Sequence, residues 1–198
     1  MGVRVIQQPT EESLSLAEAK AHLRVDVDDE DALIGSLITA ARLTVERQCW
    51  RQVAQATLRF TLDAFPACSV IYLPRPPLVS VESIQYEDLA GETRTLDAGD
   101  YFVDDTSEPG RISLKSGYAW PETNLQPGCV VIDYVAGLDP EDVPADLKAA
   151  MLLIVGHLYA HREGVVAGQA VNELPLGVSA LLSLHRFRDH RVTEQMRQ

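Results

Sequence analysis

LIGSLITAARLTVERQCWRQVAQATLRFTL, Leu33–Leu62, changes its hydrophobic period once, and that change decides the fold. Up to Cys49 the apolar residues Leu33, Ile34, Leu37, Ile38, Ala41 and Val45 recur at helical spacing, with Arg42, Glu46 and Arg47 predicted on the opposite face. From about Gln52 the period drops to two. Leu58, Phe60 and Leu62 alternate with Thr57, Arg59 and Thr61, the signature of a half-buried strand. A helical region therefore hands over to a β region within a few residues.

Upstream, Ser15-Leu16-Ala17-Glu18 has the capping-box pattern, which starts a helix carrying Leu16, Ala19 and Leu23 and ending near Val25. Asp28 is the expected N-cap of the long helix that follows, with Asp29, Glu30 and Asp31 at the positive end of its dipole. Downstream come SVIYL, SVESIQY, ETRTL, DYFVD, RISL and CVVIDYVAG, separated by turn signals such as DLAGE and SEPG. Pro74, Pro76 and Pro77 in LPRPP exclude a continuous central strand there and predict an extended connector. The loop Lys115–Gly128 is long for a compact domain, which suits a contact surface.

Helical spacing returns after Pro144 with Leu147, Met151, Ile154, Val155 and Leu158. That segment is apolar on nearly every side, so it is expected to be buried all round. A last helix, from Pro175 to about Arg188, has Val178, Leu181, Leu182 and Leu184 as apolar positions. The predicted fold class is α+β. Residues 1–52 and 138–198 build a small helical bundle, residues 53–137 form an inserted antiparallel β domain, and residues 183–198 form a basic tail.

The chain has 198 residues, enough to bury roughly 70% of its unfolded surface. Its net charge of -12 opposes phosphate binding by the surface as a whole. Cys49, Cys68 and Cys129 are too scattered for a disulfide framework or zinc ribbon and read as reduced thiols. The first residues lack the apolar stretch of a signal peptide, and the most apolar run, Ala149–Ala160, is far shorter than the about 20 residues that span a bilayer. These features predict a soluble protein made inside the cell, with no membrane contact.

Catalytic patterns are sparse. Asp26–Asp31 resembles an EF-hand loop, but Asp31 stands where Gly is required and Leu37 where Glu is required. His157 and His161 share a helix face as zinc ligands do, yet Leu158 occupies the position of a zincin glutamate. No phosphate-binding glycine loop or nucleophile elbow occurs. No catalytic residue, metal or cofactor is predicted. A metal-dependent hydrolase using His157 and His161, and a DNA-binding regulator using the basic tail, are the alternatives in other classes.

The tail stands out from this acidic background. Arg186, Arg188, Arg191 and Arg197 face only Asp189 and Glu194 within residues 183–198. Arginine forks onto carboxylates, which suits docking on an acidic partner. Cations also favour a helix C-terminus, and chain ends fray, which accounts for the same residues without a partner. The residue pattern leaves both readings open.

Several segments, in order, resemble a known family. SLAEAKAHLRVDVDDEDALIGSLITAARLTVERQCWR (Ser15–Arg51) is similar to the opening helical pair of tailed-phage head–tail connector, or adaptor, proteins. LPRPPLVSVESIQYED (Leu73–Asp88) resembles the strand-entry segment of the subgroup with a β insertion, and PADLKAAMLLIVGHLYAHRE (Pro144–Glu163) its penultimate helix. ELPLGVSALLSLHRFR (Glu173–Arg188) resembles that subgroup's C-terminal motif through Leu174, Pro175, Gly177, Leu181, Leu182 and Arg186.

The resemblance implies a structural protein of the virion neck, made in the cytoplasm of a host bacterium. Its expected partners are the portal protein, neighbouring copies in a ring of about twelve, and the next neck or tail-completion protein. DNA is expected to pass through the ring without specific binding. The expected portal-binding residues are Leu181, Leu182, Arg186, Arg188 and Arg191, with Gly164, Gly168 and Pro175 as hinge positions.

Overall fold

The computed structural model describes residues 2–124, 126–161, 176–187, 192 and 195. The chain divides into two compact units. One comprises Glu11–Ala54 and Leu138–Arg186, the other Met1–Thr10, Gln55–Gly137 and Phe187–Gln198. Helices and strands are shared between them as the alternating periods predict, and the whole is a mixed α+β fold. Both chain ends are exceptions: the described residues Phe187, Val192 and Gln195 belong to the β unit rather than the bundle, and so do the N-terminal residues. They were expected with the bundle, but Gly2–Gln7 forms a strand, β1, that joins the β unit.

In the helical unit, α1 covers Leu16–Leu23. Ser15 caps it as expected: Glu18 N donates to Ser15 Oγ at 3.2 Å, and Ser15 N donates to Glu18 Oε2 at 2.8 Å. The long helix α2 runs Asp31–Cys49. Asp28 does not cap it, because its carboxylate lies 2.7 Å from Lys20 Nζ. Lys20 is equally close to Asp31, so one ammonium bridges two acids of the DVDDED run. That use of the carboxylates is structural.

The inner face of α2 carries Ile34, Ile38, Ala41, Val45 and Cys49. They pack in one core with Leu147, Ala150, Met151, Ile154 and Val155 of α3 (Ala145–Ala160) and with Val178 and Leu182 of α4 (Leu176–Ser183). Two expectations about these helices fail. Leu153 of α3 is 39% exposed, so this helix is not buried all round. Arg42 and Glu46 do not take a solvent face either: they are 2% and 1% exposed.

Arg42 and Glu46 are buried because they satisfy one another and the chain around them. Arg42 Nη1 donates to Glu46 Oε2 at 3.1 Å, and Arg42 Nε donates to Glu12 Oε2 at 2.7 Å. The second oxygen of Glu46 accepts from Gln52 Nε2 at 2.9 Å, Val53 N at 3.1 Å and Ala54 N at 3.4 Å. A buried carboxylate is tolerable only when paired and hydrogen-bonded in this way. Beside it, Leu138 N donates to Val53 O at 3.1 Å, and Ala54 forms a parallel bridge with Leu138. The outgoing and returning chain are thereby tied together at the same place.

The β unit contains two sheets. The larger has the order β1-β2-β8-β4-β5, from Gly2–Gln7, Ala56–Leu62, Val130–Ala136, Leu78–Glu87 and Thr93–Thr95. The smaller has the order β3-β7-β6, from Val70–Tyr72, Arg111–Leu114 and Tyr101–Asp104. All these pairings are antiparallel. Leu58, Phe60 and Leu62 point inward with Ile132, Tyr134 and Val130, as the alternation predicts. On the opposite face Arg59 forks onto Asp133 through two 2.7 Å bonds, directly across the β2–β8 ladder.

The LPRPP segment forms the connector between β3 and β4, and Tyr134 Oη donates to Pro74 O at 2.7 Å. Gly110 is required nearby, since a Cβ there would meet Leu78 Cβ at 2.4 Å. Among the described residues, no helix is long and apolar enough to cross a membrane.

Replacing Glu46 by Ala would leave the Arg42 guanidinium without its buried partner and strip acceptors from Gln52, Val53 and Ala54. The expected cost is about 3–5 kcal/mol, read as a lower denaturant midpoint. A midpoint shift worth under about 1 kcal/mol would show that this junction is not a structural node.

Candidate docking surface at the C-terminal helix

The helix α4 is fixed at its end by three contacts, all within the helical unit. Cys49 Sγ lies 3.7 Å from Leu182 O, Arg51 Nε donates to His185 O at 2.9 Å, and His185 Nε2 lies 2.5 Å from Asp146 Oδ2. Burial pushes the Cys49 thiol up, with Arg51 and Arg186 pulling the other way, so this sulfur stays protonated and serves as packing. The hydrogen bond from His185 holds the Asp146 carboxyl below its ordinary range, against the opposing push of burial.

These contacts sort the residues predicted for docking. Leu182 is fully buried in the helical core and Leu181 is partly buried against it. Arg186 is exposed. Leu184, one of the apolar positions of the predicted last helix, is 78% exposed. The outward surface at this end of α4 therefore pairs an apolar side chain with a cation two residues apart. Arg188, Arg191, Gly164, Gly168 and Pro175 lie outside the described residues.

Leu184 was missed because an apolar residue near the end of a helical repeat reads as core. Only the position of the last turn, closed by Arg51 and Asp146, turns it outward.

The β unit presents a second surface. Within the long loop, Trp120 stacks on Phe65, with ring centroids 4.9 Å apart, and Phe65 meets Tyr86 edge-on at 5.8 Å. Phe65, Pro66, Leu89, Trp120 and Pro121 line an open groove of about 510 Å³. The length of this loop was the only sequence signal for it.

The candidate metal site does not assemble. The rings of His157 and His161 sit 4.6 Å apart, and His161 Nδ1 lies 2.9 Å from the His157 carbonyl oxygen. Among the described residues, no three His, Cys, Asp or Glu side chains group as metal ligands would.

The head completion protein family matches residues 12–186, which takes in both helical segments and the strands between them. The chain belongs to the head completion protein family. Its part is accordingly structural rather than catalytic. Among solved structures, a chain in the neck of an empty gene transfer agent (GTA) particle, computed with C6 symmetry, is similar at a TM-score of 0.78 and 24% identity, over 96% of this chain and 97% of that one. A chain of the native GTA virion has a TM-score of 0.77, and one in the native neck, computed with C12 symmetry, has 0.75, at the same identity and coverage. These likenesses establish the shared fold. No curated protein sequence matches.

The lowered carboxyl of Asp146 gives this head completion protein a pH signature. A depressed carboxyl contributes stability above its ordinary value of 3.8, and that contribution is lost as pH falls through the lower folded value. Asp146→Asn is therefore expected to be less stable than wild type at neutral pH, with the gap closing as pH falls toward about 2. Urea denaturation at several pH values reads this out, and a gap that stays constant down to pH 2 would contradict the pairing.

Proposed function

We propose that this head completion protein is the head–tail connector of a tailed phage or phage-derived particle. It forms a ring below the portal, extends the DNA channel and offers a platform to the next neck protein. The observation that carries this reading is the family match across residues 12–186. Likeness to chains from GTA necks computed with C6 and C12 symmetry supports a place in a ring of copies at the head–tail junction.

The physical features fit that role. A ring requires two different faces on each subunit, meeting head to tail and closing by rotation. The exposed Leu153 on α3 and the groove at Phe65 and Trp120 are apolar surfaces of the kind such contacts use. A net charge of -12 lets DNA pass without being held, where a basic wall would bind it. The same charge argues against a DNA-binding regulator, and the histidine pair, turned on itself, gives a metal hydrolase no support.

Portal docking falls to the end of α4 and the tail beyond it. Leu184 and Arg186 are exposed there, and Leu181 flanks them. Leu182 supports this surface from the core behind it. Arg188 and Arg191 continue the basic character in the sequence.

Deleting residues 183–198 is expected to abolish incorporation into capsids. Because that deletion also removes the His185–Asp146 pair, the sharper variant combines Leu184→Asp with Arg186→Glu, two exposed positions that leave the core intact. It should keep its melting temperature and lose at least about tenfold in portal affinity, roughly 1.4 kcal/mol. Normal incorporation of both variants would overturn the docking assignment.

A further inference from the structure

The described residues of the tail make one contact of an unusual kind. Tyr72 N donates to Gln195 Oε1 at 2.9 Å, and Gln195 Nε2 donates back to Tyr72 O at 3.1 Å. One carboxamide thus takes both main-chain groups of a single residue, the exchange that a residue on an adjacent antiparallel strand would make. Tyr72 lies on β3, an edge of the smaller sheet. Its neighbour Leu73 donates to Gly110 O at 2.8 Å on the side of β7, so the Tyr72 groups point to the side that β7 leaves open.

Two further observations show that this contact is built into the unit. Val192, three residues before Gln195, is only 2% exposed, and Gln195 itself is 9% exposed. Gln195 also helps line a cavity of about 280 Å³ with Leu62, Asp63, Phe65 and Pro66, next to the aromatic groove. An exposed strand edge invites pairing with another chain, and proteins block such edges with a covering segment. Here the covering group is a side chain of the chain's own tail.

We propose that Gln195 latches the C-terminal tail onto the β3 edge of its own chain, so that the free subunit stores the tail in cis and portal docking competes with this latch. The occupant of the edge is Gln195 of the chain's own tail, with Val192 buried three residues before it. The inference rests on the docking reading above only for its second half, the competition. The latch itself is a property of the isolated chain.

The latch has a local consequence that a general packing role lacks. Tyr72 N–H depends on Gln195 for its acceptor, whereas Leu73 N–H depends on Gly110. Gln195→Glu keeps the size and the acceptor but turns a carboxylate oxygen toward the Tyr72 carbonyl. Gln195→Ala removes both bonds.

Amide hydrogen exchange on the full-length protein should show Tyr72 N–H protected in wild type. Exchange at Tyr72 should be at least about tenfold faster in Gln195→Ala and faster in Gln195→Glu, with Leu73 unchanged in both. The released tail should be cleaved faster by trypsin, and both variants should associate with a purified portal ring faster than wild type. Unchanged Tyr72 exchange in Gln195→Ala would overturn the latch. Lost protection with unchanged portal association would overturn the competition. If no form of the protein binds the portal, the docking reading fails along with the competition, while Tyr72 exchange still decides the latch.

Discussion

The fold depends on one buried carboxylate. Glu46 sits in the last turns of α2, where the chain must leave a helical core and begin a sheet, and it accepts from Arg42, Gln52, Val53 and Ala54. Main-chain groups at such a transition belong to neither a helix nor a ladder, and left unpaired in the core they would each be costly. A side-chain acceptor supplies what the missing secondary structure does not. The same few residues pair with Leu138, where the chain returns, so the two ends of the segment between Ala54 and Leu138 are braced within the helical unit. The charge of Glu46 is balanced by Arg42, which Glu12 holds in turn.

Much of this architecture is written in local patterns. The capping box at Ser15, the alternation from Leu58 to Leu62 and the prolines of LPRPP each specify backbone geometry over a few residues, and the structure follows them. Features set by distant partners were not legible. Strand β1 is short and has exposed polar positions, and its pairing with β2 is fixed by residues such as Phe60 opposite Val3, far along the chain. Arg42 and Glu46 look like surface charges because periodicity registers polarity but not partnership. Asp28 looked like a cap until Lys20, one helix earlier, supplied a stronger partner.

The end of α4 shows the same division. The change from apolar to cationic character between Leu181 and Arg186 is visible in the sequence. The sequence cannot distinguish Leu182, which closes the core over Cys49, from Leu184, which faces solvent. That distinction comes from Arg51 and Asp146 gripping His185 and fixing the rotation of the last turn. This end of α4 is anchored in the core on one side and exposed on the other. This suits a protein whose family completes the head.

The proposed position of this chain is a ring between portal and tail. Imaging the neck of a purified particle that carries the protein tests it most directly. The expected result is a closed ring of copies below the portal, each superimposing on the fold described above, with the Leu184–Arg186 end of α4 turned toward the portal. A neck in which this position is filled by another protein, or in which the chain is absent from the particle, would contradict it.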